Sequence, residues 1–157
     1  MSFLDKIKAG VQAGVQAAAG TAAKLELRMN LGFGFQGENV WATVVATSAG
    51  QEVKHDGVYL DVLGTESITV KGAGPGGADV TVQTQTVAQS FKLANAGTIS
   101  INATMPYHGA FQLPAGFPVS YEGPLARHEV RVRARLELSG MDPESAWLPL
   151  VVIRRPG

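Results

Sequence analysis

The sequence predicts an all-β protein, an antiparallel β-sandwich preceded by one N-terminal α-helix. From residue 24 onward, apolar and polar residues alternate in successive runs, which is typical of strands with one buried and one wet face. The 19 glycines and 8 prolines separate these runs by short intervals, as turns do in a sandwich. Because 157 residues suit one domain, we assign residues 1–23 to the helix and residues 24–157 to the sandwich.

The N-terminal helix is indicated by a capping signal and an apolar stripe. Ser2 can cap the helix, and Asp5 follows three residues later, where a capping box takes an acidic residue. The stripe that would bind a partner surface consists of Phe3, Leu4, Ile7, Val11 and Val15. Glycines at three positions weaken this helix, so it needs a surface to dock on. That surface is its own sandwich, another subunit or, as a peripheral contact, a membrane.

Composition narrows the classes of partner and compartment. Lys plus Arg equals Asp plus Glu, at 13 each, so no overall field favours nucleic acid, and we expect no nucleic-acid partner. Asp5, Gln12 and Gln16 interrupt what could otherwise resemble a secretory signal. The sequence has no cysteine, which fits a reducing compartment, and we expect a cytoplasmic protein.

The strands follow in order, with turns between them. Residues 72–79 are rich in glycine and predict a flexible hairpin tip. Residues 106–124 contain four prolines and predict a mostly extended connection. Pro149 places the last strand at an edge or a bulge. Strands are predicted at residues 25–31, 40–47, 53–63, 67–71, 80–94, 98–105, 127–138 and 147–153.

The strand at residues 127–138 has the most regular alternation. Its predicted inward face consists of His128, Val130, Val132, Ala134, Leu136 and Leu138. Its other face carries the candidate binding residues Arg127, Arg131, Arg133 and Arg135. Two interpretations stay open for this arginine row. It is a solvated face with cross-strand salt bridges, or it is a surface that docks a protein or an anionic group such as a phosphate.

Catalytic, metal and cofactor sites are not predicted. His55, His108 and His128 are scattered, and without cysteine they do not form a zinc-binding pattern. No Gly-x-Ser-x-Gly elbow accompanies them. The glycines of residues 72–77 do not form a phosphate-binding loop. We therefore expect no catalytic residue, no metal and no cofactor.

One segment resembles the arrestin-like family. Leu113-Pro114, a short spacer, Pro118 and then Ser120-Tyr121-Glu122-Gly123 precede an Arg/Val strand that contains Arg131-Val132-Arg133-Ala134. Asp56-Gly57-Val58-Tyr59-Leu60 and the first six residues are similar to the bacterial sporulation-control members of that family. The resemblance implies a sandwich of the arrestin/immunoglobulin-like type that scaffolds protein contacts without catalysis. Such proteins usually have two sandwiches in tandem, whereas these 157 residues hold one.

These features favour a non-enzymatic adaptor or scaffold domain that binds protein partners. The alternative is a structural subunit that self-assembles into a larger complex through its N-terminal helix and its sheet edges. The two differ in the expected partner, which is another protein in the first case and further copies of this chain in the second.

Overall fold

The computed structural model describes residues 22–157, and these residues form a β-sandwich of two sheets. The strands are β1 (Ala23–Met29), β2 (Phe33–Phe35), β3 (Asn39–Ser48), β4 (Val53–Val70), β5 (Val80–Ile99), β6 (Thr104–Gln112), β7 (Tyr121–Glu122), β8 (Ala126–Glu137) and β9 (Leu148–Ile153). The smaller sheet is antiparallel and has the order β1-β3-β6; the larger has the order β2-β9-β8-β4-β5, with β7 paired to β8. The prediction of a wholly antiparallel sandwich is wrong at one pair, because the short edge strand β2 is parallel to β9 and the larger sheet is therefore mixed.

The core lies between the two sheets and is built from the apolar positions that alternate along the strands. β8 contributes His128, Val130, Val132, Ala134 and Leu136, all buried, while Leu138 is partly buried against the same core. The predicted inward face of this strand is therefore confirmed. Leu25 and Leu27 in β1 and Val58, Leu60 and Val62 in β4 are buried as well.

The predicted break between residues 63 and 67 is wrong, because β4 continues to Val70. Gly64 lies within this strand, where space is short. A Cβ added there would lie 2.6 Å from Thr86 Oγ1 and 3.2 Å from His128 Nε2. Glycine is needed here for close packing, not for a turn.

The predicted strand at residues 98–105 is also wrong. The chain turns at residues 100–103, where Asn102 has a φ of 54° and the Ala103 N–H donates to the Ser100 carbonyl. Asn tolerates this left-handed conformation better than most residues. The first part of the following segment is not a connection, since β6 runs through Pro106 to Gln112. The rest, apart from the short strand β7, is a connection as predicted. β6 is an edge strand, so the missing N–H of Pro106 can face away from β3.

The glycine-rich segment joins β4 and β5 as a hairpin tip, as predicted. It contains a short 3-10 turn, Pro75–Gly77, and Lys71 pairs with Asp79 across its base at 2.7 Å. β5 carries two bulges, since Leu93 and Thr86 are each skipped in its pairing with β4. β1 begins at Ala23, one residue inside the segment assigned to the helix. The rest of that helix, residues 1–21, lies outside the described residues.

Candidate functional site

The arginine row lies on the outer face of the larger sheet, where β8 runs between β4 and β9. The pairing sets Arg135 opposite Tyr59 and Arg133 opposite Asp61 on β4. On the other side, Arg131 is opposite Pro149 of β9. Arg127 lies further along β8 and pairs with Glu129 at 3.7 Å. We use the term arginine face for six residues of this surface, namely Tyr59, Asp61, Arg131, Arg133, Arg135 and Trp147.

Asp61 lies at the centre of this face. Its Oδ2 accepts hydrogen bonds from the Nε atoms of Arg133 and Arg135, both at 3.2 Å, and its Oδ1 accepts one from Ser90 Oγ at 2.7 Å. Partial burial raises the pKa of Asp61, but the hydrogen bonds from Ser90, Arg135 and Arg133 outweigh burial. The pKa of Asp61 therefore lies below its ordinary value, and the carboxylate is ionised at neutral pH.

The connection between β8 and β9 supplies two further acids. Arg133 Nη1 donates to Glu144 Oε2 at 2.7 Å, and Arg135 Nη1 donates to Asp142 Oδ2 at 3.2 Å. Burial lowers the pKa of Arg135, but Asp61 and Asp142 raise it above its ordinary value. Each of these two guanidinium groups is thus held between carboxylates from two different segments.

Aromatic rings fix the same cations from a second direction. The Trp147 ring lies 4.6 Å from the guanidinium of Arg133 and 5.6 Å from that of Arg131. The Tyr59 ring lies 4.9 Å from Arg135. Planar guanidinium groups stack well on aromatic faces, and such contacts restrict their motion. Arg131 is the exposed arginine of the three, so it has the most access to a partner.

This arrangement combines features of both interpretations of the arginine row. Arg133 and Arg135 form cross-strand salt bridges, as the interpretation of a solvated face requires. Because their charge is matched by neighbouring acids, they do not form a concentrated anion-binding site. What the face offers is a rigid surface of aromatic rings and guanidinium groups, with the exposed Arg131 beside Trp147. The sequence alone did not identify Tyr59, Asp61 or Trp147, although Tyr59 and Asp61 occupy the outward positions of an alternating strand.

The histidines lie apart from this face and from one another. His128 Nε2 is 2.6 Å from Thr86 Oγ1, and its Nδ1 donates to the Val119 carbonyl at 2.9 Å. His55 Nε2 is 3.0 Å from the Tyr107 hydroxyl, and His108 Nδ1 is 2.9 Å from Thr43 Oγ1. Within residues 22–157, no three His, Asp or Glu side chains are grouped as metal ligands. Each histidine takes part in a structural hydrogen bond.

Part of the predicted binding surface is not described. Phe3, Leu4, Ile7, Val11 and Val15 precede residue 22, so the predicted docking stripe lies outside the described residues. Across residues 22–157, no helix is long and apolar enough to cross a membrane.

Comparison with known proteins identifies the fold. No protein-family model matches the chain, and no curated protein matches it. Among solved structures, the chain is similar to the sporulation control protein Spo0M from Bacillus subtilis, with a TM-score of 0.60 and 19% identity. The match covers 83% of this chain and 49% of Spo0M, so the chain spans about half the length of that protein. Spo0M is arrestin-like, and the likeness confirms the arrestin-like fold that the sequence predicts.

Proposed function

We propose that this domain is a non-enzymatic adaptor that binds a protein partner through the arginine face. The observation that carries the proposal is the exposed Arg131 beside Trp147, next to two arginines already fixed by ion pairs. The likeness to Spo0M, a sporulation control protein, supports a regulatory and not a catalytic role. The lack of cysteine supports a cytoplasmic setting for such an adaptor.

The composition of the face favours a protein as its partner. Trp, Tyr and Arg are the residues enriched at the energetic centres of protein interfaces. An arginine that is already held loses less side-chain entropy on binding than a mobile one. Arg133 and Arg135 are held in this way by Asp61, so a partner meets a preorganised surface.

The charges of the face indicate which side chains the partner brings. Arg133 and Arg135 are occupied by Asp61, Asp142 and Glu144, which leaves Arg131 as the cation best placed for a new contact. A guanidinium group binds a carboxylate or a phosphate with two parallel hydrogen bonds. We therefore expect the partner to place an acidic group on Arg131 and an apolar group against Trp147.

Reversing the charge of Arg131 tests this proposal. A protein captured by the wild-type chain from native lysate would be purified and titrated by calorimetry. We expect Arg131→Glu to raise the dissociation constant at least about tenfold, because loss of a charge-assisted hydrogen bond costs roughly 1.5–3 kcal/mol.

The matched control is Arg28→Glu, which makes the same change of charge at an exposed arginine of β1 in the other sheet. This control should bind like the wild type. Equal affinity for wild type and Arg131→Glu would contradict the proposal, and so would an equal loss of affinity in both variants.

A further inference from the structure

The hairpin of β4 and β5 extends beyond the sandwich at its tip. Residues 80–86 of β5 are exposed on both faces, and within residues 22–157 no strand pairs with the outer edge of β5. From Val80 to Gln85 the pairing with β4 is regular, since the first bulge comes at Thr86. This segment therefore offers a straight row of backbone N–H and C=O groups on its outer edge.

The sequence of this edge lacks the usual protection against strand pairing. From Val80 to Gln85, before the bulge at Thr86, it contains no charged residue, no proline and no glycine. Exposed edge strands usually carry lysine, proline or early bulges that prevent another strand from pairing. β1, which is an edge of the smaller sheet, does carry such charges, at Lys24, Glu26 and Arg28. The two edges are thus built differently.

One face of the projecting hairpin is also apolar. Ile68 pairs with Val82 and Val70 pairs with Val80, so all four side chains point to the same side. They are between 37% and 53% exposed. This strip lies on the side of β4 that carries the core residues Leu60 and Val62 further along the strand, but here nothing in the described chain covers it.

We propose that a second copy of this chain occupies this edge, with the two β5 strands paired antiparallel about a two-fold axis at Val82. In that register Val82 faces the Val82 of the other copy, and Thr81 faces its Gln83. The apolar strips then join into one surface across four strands, from Ile68 of one copy to Ile68 of the other. The contact is isologous, so it closes as a dimer and does not extend into a filament.

A second copy suits this edge for reasons of charge. Because the strand is uncharged, pairing it with itself brings no like charges face to face. The whole chain carries no formal net charge, so two copies do not repel each other at long range. Backbone hydrogen bonds and the small valine strip provide the contact, and this small interface implies a weak dimer in the micromolar range.

The test places a charge at Val82, on the two-fold axis of the proposed dimer, and uses the full chain. Sedimentation equilibrium from micromolar to millimolar concentration should show wild-type chain associating in pairs. Val82→Lys should raise the dissociation constant of the pair at least about tenfold, because two lysines then face each other directly. Val82→Glu should do the same. Mixing the two variants should restore pairing, since each lysine then faces a glutamate.

The matched control is Ile101→Lys, which adds the same charge at an exposed apolar residue in the turn after β5. This variant should associate like the wild type. Val82 is half exposed, so the lysine variant should keep the wild-type circular dichroism spectrum. The proposal is overturned if the wild type does not pair, if Val82→Lys pairs as tightly as the wild type, or if the mixture pairs no better than each variant alone.

Discussion

Replacement of Asp61 by alanine would leave the side chains of Arg133 and Arg135 without their shared acceptor. The Asp61 side chain is only 15% exposed, and those of the two arginines are 26% and 19% exposed. Removing one member of a fully buried ion pair costs about 3–5 kcal/mol, whereas exposed pairs contribute about 0–1 kcal/mol. Asp142 and Glu144 still neutralise the two cations. An intermediate loss of about 2 kcal/mol is therefore expected.

Thermal unfolding monitored by the fluorescence of Trp41 and Trp147 measures this loss. For a domain of this size, about 2 kcal/mol corresponds to a decrease in Tm of about 4–8 °C. Asp61→Asn keeps the shape of the side chain and an acceptor, so it should lose less than Asp61→Ala. A double-mutant cycle with Arg135→Ala should give a coupling free energy of about 1 kcal/mol.

The pH dependence provides a second check with a defined sign. The pKa of Asp61 is lowered in the folded protein, so between about pH 4 and that lower pKa the unfolded chain binds more protons. The contribution of Asp61 is complete above about pH 4 and is lost as the pH falls through its native pKa. The exposed pair of Lys71 and Asp79 gives the control, since Lys71→Ala should leave Tm within error. If Asp61→Ala unfolds like the wild type, or if the cycle gives no coupling, the network does not stabilise the fold.

Two other substitutions test the interior. Burial lowers the pKa of His55 despite the nearby Asp56, so the unfolded chain takes up a proton at this residue first as the pH falls below about 6.5. The free energy of unfolding should therefore decrease below that pH. In urea titrations at pH 7 and pH 5.5, this decrease should be smaller for His55→Phe than for the wild type. Gly64→Ala should lower stability by about 1–3 kcal/mol, because its Cβ would displace Thr86 from His128. Gly116→Ala, with open space around it, should change thermal unfolding little, and equal Tm values for both alanine variants would contradict this packing argument.

The alternation of residues along a strand predicted the fold well where each strand has one face in the core. The inward face of β8 was predicted residue by residue, because a period of two allows only one assignment of faces. The predicted break at residues 64–66 is wrong for a different reason. Whether a glycine marks a turn or a tight contact depends on Thr86 and His128, which are distant in sequence.

The arginine face shows the same limit. Its arginines were predicted to share one side of β8, and they do. The acid that links them lies 72 residues before Arg133, and no local pattern connects the two. The position of Asp61 beside Arg133 is set by the register between β4 and β8, which depends on the whole sandwich.

The position of the long hairpin in the chain has a consequence for the order of folding. β4 and β5 begin to pair at Val70 and Val80, which are separated by a short turn, whereas the contact of Thr47 with Thr104 spans 57 residues. Closing the longer loop costs about 1.5 kcal/mol more chain entropy. Once the hairpin has formed, its paired ends bring β3 and β6 close together. We therefore expect the hairpin to form early and to shorten the effective loop between β3 and β6, and its amides near the core should exchange hydrogen more slowly than those of β1.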